Sequence, residues 1–276
     1  MWWRKPAAGE SLGLIAGAGD FPVLLAEAAV AAKRKIVIFG LKGYTSRRVD
    51  DFASEVHYFD LGVLGPLAEA VKHSGVKRVM LAGGVPKKRI VDSSFKIDTA
   101  AKNILGGSRN KGDDHLLRAF EIFLRLKCGV SVIDPRVFLK KILAPRGVLT
   151  RRKPAASEWK DLRFGLRIAR GAGKMDIGQT VVVKEGVVLA VEAIEGTDQA
   201  IRRGGELGYG DAVVVKASKP NQDLRFDLPC VGHGTLDSLR AASSRVLGVE
   251  AGKTILIDKE KLIQTANERD LTLVGL

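Results

Sequence analysis

Leu12-Gly13-Leu14-Ile15-Ala16-Gly17-Ala18-Gly19-Asp20-Phe21-Pro22 is a short apolar run that breaks into Gly-x-Gly and then into an amphipathic segment, 21–32. A run of strand length followed by a glycine turn and a helix is how a buried strand feeds a covering helix. The alternation repeats downstream. Apolar runs at 36–39, 56–59, 76–81 and 130–133 read as further buried strands, and 64–74 reads as a helix. At 113–124 the apolar residues Leu116, Leu117, Phe120, Phe123 and Leu124 keep the helical period. Asp113 and Asp114 open that segment, where acids cap a helix and favour its dipole. The pattern predicts an α/β fold, with a Rossmann-like N-terminal domain built on a mostly parallel sheet.

After residue 134 the texture changes. Pro135, Pro145 and Pro154 punctuate a stretch crowded by Arg136, Lys140, Lys141, Arg146, Arg151, Arg152 and Lys153. This reads as a domain junction. A first domain, 1–143, is expected to pass through a basic linker, 144–156, into a second α/β domain, 157–276. The linker would face a membrane, line a cleft or simply be solvated. In the second domain Ser157 is placed to cap a helix running to 170. The β-rich runs 180–183 and 187–191 flank Lys184-Glu185-Gly186, a hairpin signal. Further helices are expected at 197–206, 236–245 and 259–269, and strands at 212–217, 225–228 and 254–257.

Composition narrows the function. The chain has 276 residues, 46% of them hydrophobic, enough for one large or two ordinary cores. No apolar run reaches the roughly 20 residues of a membrane span. Met1-Trp2-Trp3-Arg4-Lys5 does not open like a secretory signal, so a cytoplasmic location is expected. Cys128 and Cys230 are two and far apart, which supports neither a disulfide framework nor a zinc site. Net charge is +14, and residues 1–150 hold 25 Lys and Arg against 14 Asp and Glu. Such a surface attracts nucleic acid, anionic membrane or an anionic substrate, or serves solubility alone. With aromatics at 6%, stacking platforms are scarce, and no zinc-finger, RRM or KH signature is present; nucleic acid is not expected as a partner. Nor is there a serine elbow, a Walker A loop or a His-rich phosphatase site.

Five segments carry candidate chemistry. In Gly17-Ala18-Gly19-Asp20, backbone N–H groups can approach a phosphate at a helix N-terminus. Pro22 stands where a dinucleotide fingerprint has its third glycine, and Phe39-Gly40-Leu41-Lys42 lacks the expected acid. A nicotinamide dinucleotide is therefore disfavoured; a mononucleotide, a diphosphate or a purely structural turn remains. Gly83 and Gly84 follow the predicted fourth strand, where ligands sit in open sheets, although a tight loop explains them equally. Lys111-Gly112-Asp113-Asp114 holds acids that either cap a helix or grip a ribose or cation. Asp176 and Gln179 precede one strand, and Glu192, Glu195, Gly196, Thr197 and Asp198 gather where another gives way to a helix; Thr197 and Asp198 would also serve as plain caps. Lys219-Pro220-Asn221-Gln222-Asp223-Leu224-Arg225-Phe226-Asp227-Leu228-Pro229 is the fifth. If extended, it sets Asp223, Arg225 and Asp227 on one face and Leu224, Phe226 and Leu228 on the other. Such a face suits a metal–phosphate site, or a solvated edge strand.

Taken in order, Gly13-Leu-Ile-Ala-Gly-x-Gly-x-x-Pro22, Lys111-Gly-Asp-Asp114, Asp176-Ile-Gly-Gln179 with Val191-Glu-Ala-x-Glu-Gly-Thr-Asp198, and Lys219-Pro-x-Gln222 with Asp227-Leu-Pro229 resemble the UDP-2,3-diacylglucosamine pyrophosphatase family of lipid A biosynthesis, of the magnesium-dependent type unrelated to calcineurin-like phosphoesterases. The resemblance spans nearly the whole chain. It implies two domains with the active site in the cleft between them. It also implies Mg²⁺-dependent hydrolysis to UMP and 2,3-diacylglucosamine 1-phosphate, with water attacking the sugar-side phosphorus. The family's essential aspartate falls on Asp227. Lys219 and Arg225 are expected beside it as catalytic cations, and Asp227, Glu192 and Asp198 as metal ligands. The other motif residues, namely Gly17, Ala18, Gly19, Asp20, Gly83, Gly84, Lys111, Asp113, Asp114, Asp176, Gln179, Gly196, Thr197 and Gln222, are expected to bind substrate together with Glu192 and Asp198. The implied partners are a UDP-linked diacylated glucosamine and, transiently, the anionic face of the inner membrane; a homodimer is left open. The alternative is a nucleotide-binding regulator without catalysis.

Overall fold

The computed structural model describes residues 9–85, 97–106, 113–220, 223–226 and 228–276. They form two compact units. The first gathers the described residues up to 140 together with those of 223–227, and the second the described residues of 141–222 and 228–276.

The first unit runs β1 (Leu12–Ala16), α1 (Phe21–Ala31), β2 (Ile36–Leu41), β3 (Glu55–Phe59), α2 (Leu64–His73), β4 (Arg78–Ala82), α3 (Thr99–Gly106), α4 (Asp113–Phe123), β5 (Ser131–Val132) and α5 (Arg136–Leu139). Its five strands lie in the order β3-β2-β1-β4-β5, all parallel. The apolar runs explain why. Leu12, Leu14, Ile36 and Ile38 are wholly buried. Val37, Phe39, Val79 and Leu81 pack with Leu67 and Val71 of α2, and with Leu124, Val132 and Phe226. Each such side chain contributes about 1.5–3 kcal/mol by leaving water.

The strand order reverses between β1 and β4, the place where open α/β sheets receive ligands. The loops after these two strands are knitted together. Gly17 N donates to Ala82 O at 2.8 Å, and Ala18 and Gly84 exchange N–H···O bonds at 2.8 and 3.0 Å. Only glycine permits this approach: a Cβ on Gly17 would lie 2.5 Å from Gly84 O, and one on Gly83 (φ +88°) 2.6 Å from Ala18 O.

The second unit runs β6 (Gly147–Val148), α6 (Ala156–Lys174), β7 (Thr180–Lys184), β8 (Val187–Val191), α7 (Thr197–Gly208), β9 (Val213–Lys216), β10 (Cys230–Val231), α8 (His233–Ala241), β11 (Val246–Val249), β12 (Ile255–Leu256), α9 (Lys259–Glu268) and β13 (Thr272–Gly275). Six strands lie in the order β6-β13-β11-β9-β7-β8. β13, β11 and β9 are parallel, while β7 runs antiparallel to β9 and β8, and β6 antiparallel to β13. β10 and β12 form a separate parallel pair. Alternation along β9 sends Val214 into a core with Val182, Ile201, Leu236, Leu247 and Leu262, and Val213 and Val215 into another with Leu162. Helices therefore cover both faces, α6 on one and α7, α8 and α9 on the other.

Four expectations change. The stretch 144–156 is built into the second unit rather than linking two: Ala144 is 1% exposed, Val148 pairs with Val274, and the Arg152 guanidinium bonds Glu158 at 2.7 Å and Thr272 at 2.7 Å. Ser157 is not the cap of α6. The helix starts one residue earlier because Ala155 N donates to Glu158 Oε2 at 2.7 Å, and it runs on to Lys174. Residues 225, 226 and 228 form no strand; Phe226 N donates to Asp223 O at 2.9 Å and closes a turn. Finally, β11 and β13, both inside the sheet, lie outside the runs read as strands.

Candidate functional site

At the carboxyl ends of β1 and β4 the candidate glycines divide by role. Gly17 and Gly83 hold the two loops together, whereas a Cβ on Gly19 (φ +93°) or Gly84 would meet nothing within 4 Å. A Cβ at either would thus touch none of the described residues. Asp20 stands exposed before α1 and faces Arg48 at 3.8 Å. Asp113 and Asp114 open α4. Lys111 lies outside the described residues.

The second unit gathers more of the predicted residues. Glu192 follows β8, and its N–H donates to Thr180 O at 2.8 Å. Gly178 makes room for this: a Cβ there would sit 1.9 Å from Glu192 O. The Glu192 carboxylate, nearly buried, accepts hydrogen bonds from the Thr197 hydroxyl at 2.9 Å and the Gln179 N–H at 3.4 Å. Gly196 (φ +89°) turns the chain into α7, and Asp198 accepts from Ser238 Oγ at 2.8 Å. Glu195 is instead held by Arg203 at 2.9 Å. A residue that no sequence motif singles out joins the group. Lys216, last in β9 and 7% exposed, donates to Thr197 Oγ1 at 3.2 Å and to Cys230 O at 3.0 Å. A lysine ending an apolar run reads as a solvated strand end. Its place at the carboxyl end of a strand was the available signal.

Lys219 follows two residues after the buried Ala217 and pairs with Asp176. The path is fixed behind it: Ser218 donates its N–H and hydroxyl to Glu250 Oε2 at 3.0 and 2.7 Å. Burial works against the Glu250 charge, but the bonds from Ser218, Lys253 and Arg170 outweigh it and hold the carboxyl at about 2. Arg225 belongs to the first unit. It forks onto Asp223 at 2.5–3.0 Å and reaches Glu121 at 3.3 Å. Burial raises the Asp223 carboxyl, yet the Arg225 bonds prevail and hold it below the usual carboxylate range. Instead of standing side by side on an extended face, Asp223 and Arg225 thus bond each other in a closed turn, with Phe226 buried in the core of the first unit. Gln222 and Asp227 lie outside the described residues.

Two family models divide the chain: LpxI N-terminal domain matches residues 11–142, and LpxI C-terminal domain residues 145–274. UDP-2,3-diacylglucosamine pyrophosphatase LpxI of Caulobacter vibrioides is 34% identical over 284 positions, covering 96% of this chain and 97% of its own. The chain belongs to the LpxI family. The LpxI domain boundary at 142–145 falls beside the change of unit after residue 140. Among solved structures, leucoanthocyanidin reductase with NADPH from Vitis vinifera is 15% identical, with a TM-score of 0.27 over 54% of this chain and 41% of its own. The biotin carboxylase domain of 2-oxoglutarate carboxylase from Hydrogenobacter thermophilus is 10% identical, with a TM-score of 0.28 over 72% and 41%.

The LpxI resemblance implies a magnesium ion, and the described residues do not by themselves gather a full set of protein ligands for one. No three His, Cys, Asp or Glu side chains among them group to hold a metal, and both Glu192 oxygens already accept hydrogen bonds. No helix among them is long and apolar enough to cross a membrane.

Proposed function

We propose that this chain hydrolyses the pyrophosphate of UDP-2,3-diacylglucosamine, releasing UMP and 2,3-diacylglucosamine 1-phosphate. The carrying observation is the relationship to the Caulobacter vibrioides pyrophosphatase, which runs through both domains. A regulator without catalysis finds no support among these relatives. In this reading Asp227 is the essential acid, binding or orienting the reacting groups, while Lys219 and Arg225 offset charge on phosphoryl oxygens. Gly19 and Gly84 in the first unit, and Gln179, Glu192, Gly196, Thr197 and Asp198 in the second, contact substrate. The Mg²⁺ requirement rests on the resemblance. A diacylated substrate lies in a membrane, which the protein would meet as a peripheral enzyme.

The test is incubation of the purified protein with UDP-2,3-diacylglucosamine, with Mg²⁺ and with a chelator, and measurement of UMP. Release of UMP is expected with the metal; none under either condition would sink the assignment. Asp227→Ala should abolish turnover and leave the circular dichroism spectrum unchanged. Near-normal turnover in that variant would remove Asp227 from the chemistry.

A further inference from the structure

We propose that Lys216 is a phosphate-binding residue, donating to a phosphoryl oxygen of the ligand at the carboxyl end of β9; the identity of that ligand rests on the pyrophosphatase reading. The first observation is an imbalance of charge. Lys216 is 7% exposed, and its acceptors, Thr197 Oγ1 and the Cys230 carbonyl, are both neutral. Among the described residues no carboxylate pairs with it. A buried ammonium is usually paired directly with an anion. Glu192 is one hydroxyl away: Thr197 donates its one hydrogen bond to Glu192 Oε1 at 2.9 Å and so turns its lone pairs toward Lys216. The lysine is held in position, and its third N–H is left for a ligand.

The second observation is that two of the six buried side-chain polar atoms with no hydrogen-bond partner among the described residues are Gln179 Oε1 and His233 Nε2. They stand on the two segments that flank the lysine. Gln179 immediately precedes Thr180, the register partner of Lys216, and His233 lies three residues past Cys230, whose carbonyl Lys216 bonds. Buried polar atoms left unpaired are disfavoured, so two of them on the segments next to an ammonium whose acceptors are neutral point to a polar anion that satisfies them. The glutamine amide can present either its oxygen or its N–H₂ there, and His233 can donate. α7 and α8 both begin at this end of the sheet and add the positive ends of their dipoles. The chemistry selected is a phosphate or diphosphate group.

The experiment titrates inorganic pyrophosphate into the full chain by calorimetry, for wild type, Lys216→Met, Lys216→Gln and Lys216→Arg. Lys33→Met, at an exposed lysine of the first unit, controls for net charge. Wild type and Lys33→Met should bind alike. Lys216→Met and Lys216→Gln should bind at least about tenfold more weakly, as expected for a lost hydrogen bond to a charged group, and Lys216→Arg should recover most of the affinity. If Lys216→Met does not fold, Lys216→Gln and Lys216→Arg decide. Absent binding in wild type, unchanged binding in Lys216→Gln, or an equal loss in Lys33→Met would each overturn the proposal. Turnover of UDP-2,3-diacylglucosamine by wild type is read separately. Its absence would refute the pyrophosphatase reading, while the role of Lys216 would still be decided by the titration.

Discussion

Glu250 follows β11 with a carboxylate that is 3% exposed and accepts from Ser218 N, Ser218 Oγ, Arg170 and Lys253. Those bonds pin the chain one residue before Lys219, so a structural carboxylate sets where a candidate catalytic cation can reach. Its depressed pKa fixes the sign of a pH effect. A carboxyl held at about 2 in the folded protein, against 4.5 when exposed, stabilises fully above pH 4.5. That stability is lost as pH falls from there toward 2. The shift corresponds to about 3 kcal/mol. Glu250→Gln should therefore unfold at lower urea than wild type at pH 7, and the gap should shrink steadily by pH 3. A gap of the same size at both pH values would mean that the charge is not its source.

The turn between α6 and β7 shows how an element boundary can decide a site. Gly178 lies so close to Glu192 O that a methyl group would force the exit of β8 away from the start of β7. Gly178→Ala should lose about 1–3 kcal/mol in urea unfolding, with a fall in turnover as Glu192 moves off Thr197. Gly171→Ala, in the same helix end but with nothing within 4 Å, should be neutral or stabilising. Equal behaviour of the two variants would show that the contact at Gly178 is soft. These boundaries mark how much was legible in the sequence. The strands of the first sheet and the β7–β8 hairpin follow from apolar period and turn residues, which are local. Legibility ends where pairing is decided far along the chain. Residues 144–156 look like a linker until Val148 meets Val274 and Arg152 meets Thr272, partners more than a hundred residues away. Gly248 interrupts the apolar run of β11 for a packing reason, since a Cβ there would come 2.5 Å from Leu162 Cδ2. At 223–226 the alternation suits a strand, but the Asp223 carboxylate captures the Arg225 N–H and guanidinium, and local bonding wins over extension. In the candidate site Gln179, Glu192 and Thr197 come together from the segments singled out for them. Lys216 escaped because its neighbours are set by strand register and not by anything adjacent in sequence.

For the molecule as a whole, charge is the property on which the proposed contact with a membrane would rest. A net +14, weighted toward the first 150 residues, gives an anionic surface something to attract. Each Lys or Arg near an anionic leaflet is worth about 1 kcal/mol, and the attraction reaches about 10 Å at 0.1 M salt. Lys141, Arg146, Arg151 and Lys153 of the second unit are all exposed within thirteen residues of chain, a concentration of charge that the pairing of β6 holds in place. The protein should cosediment with vesicles containing phosphatidylglycerol and not with phosphatidylcholine alone, and it should be released by about 0.5 M salt, where screening shortens to a few ångströms. Reversing those four residues to Glu should lower the vesicle-bound partition by at least about tenfold. Pyrophosphate binding by the same variant serves as the check that it is folded. Equal cosedimentation with both vesicle types would refute electrostatic membrane contact. A wild-type partition in the reversed variant would show that the contact is made by other residues of the basic surface.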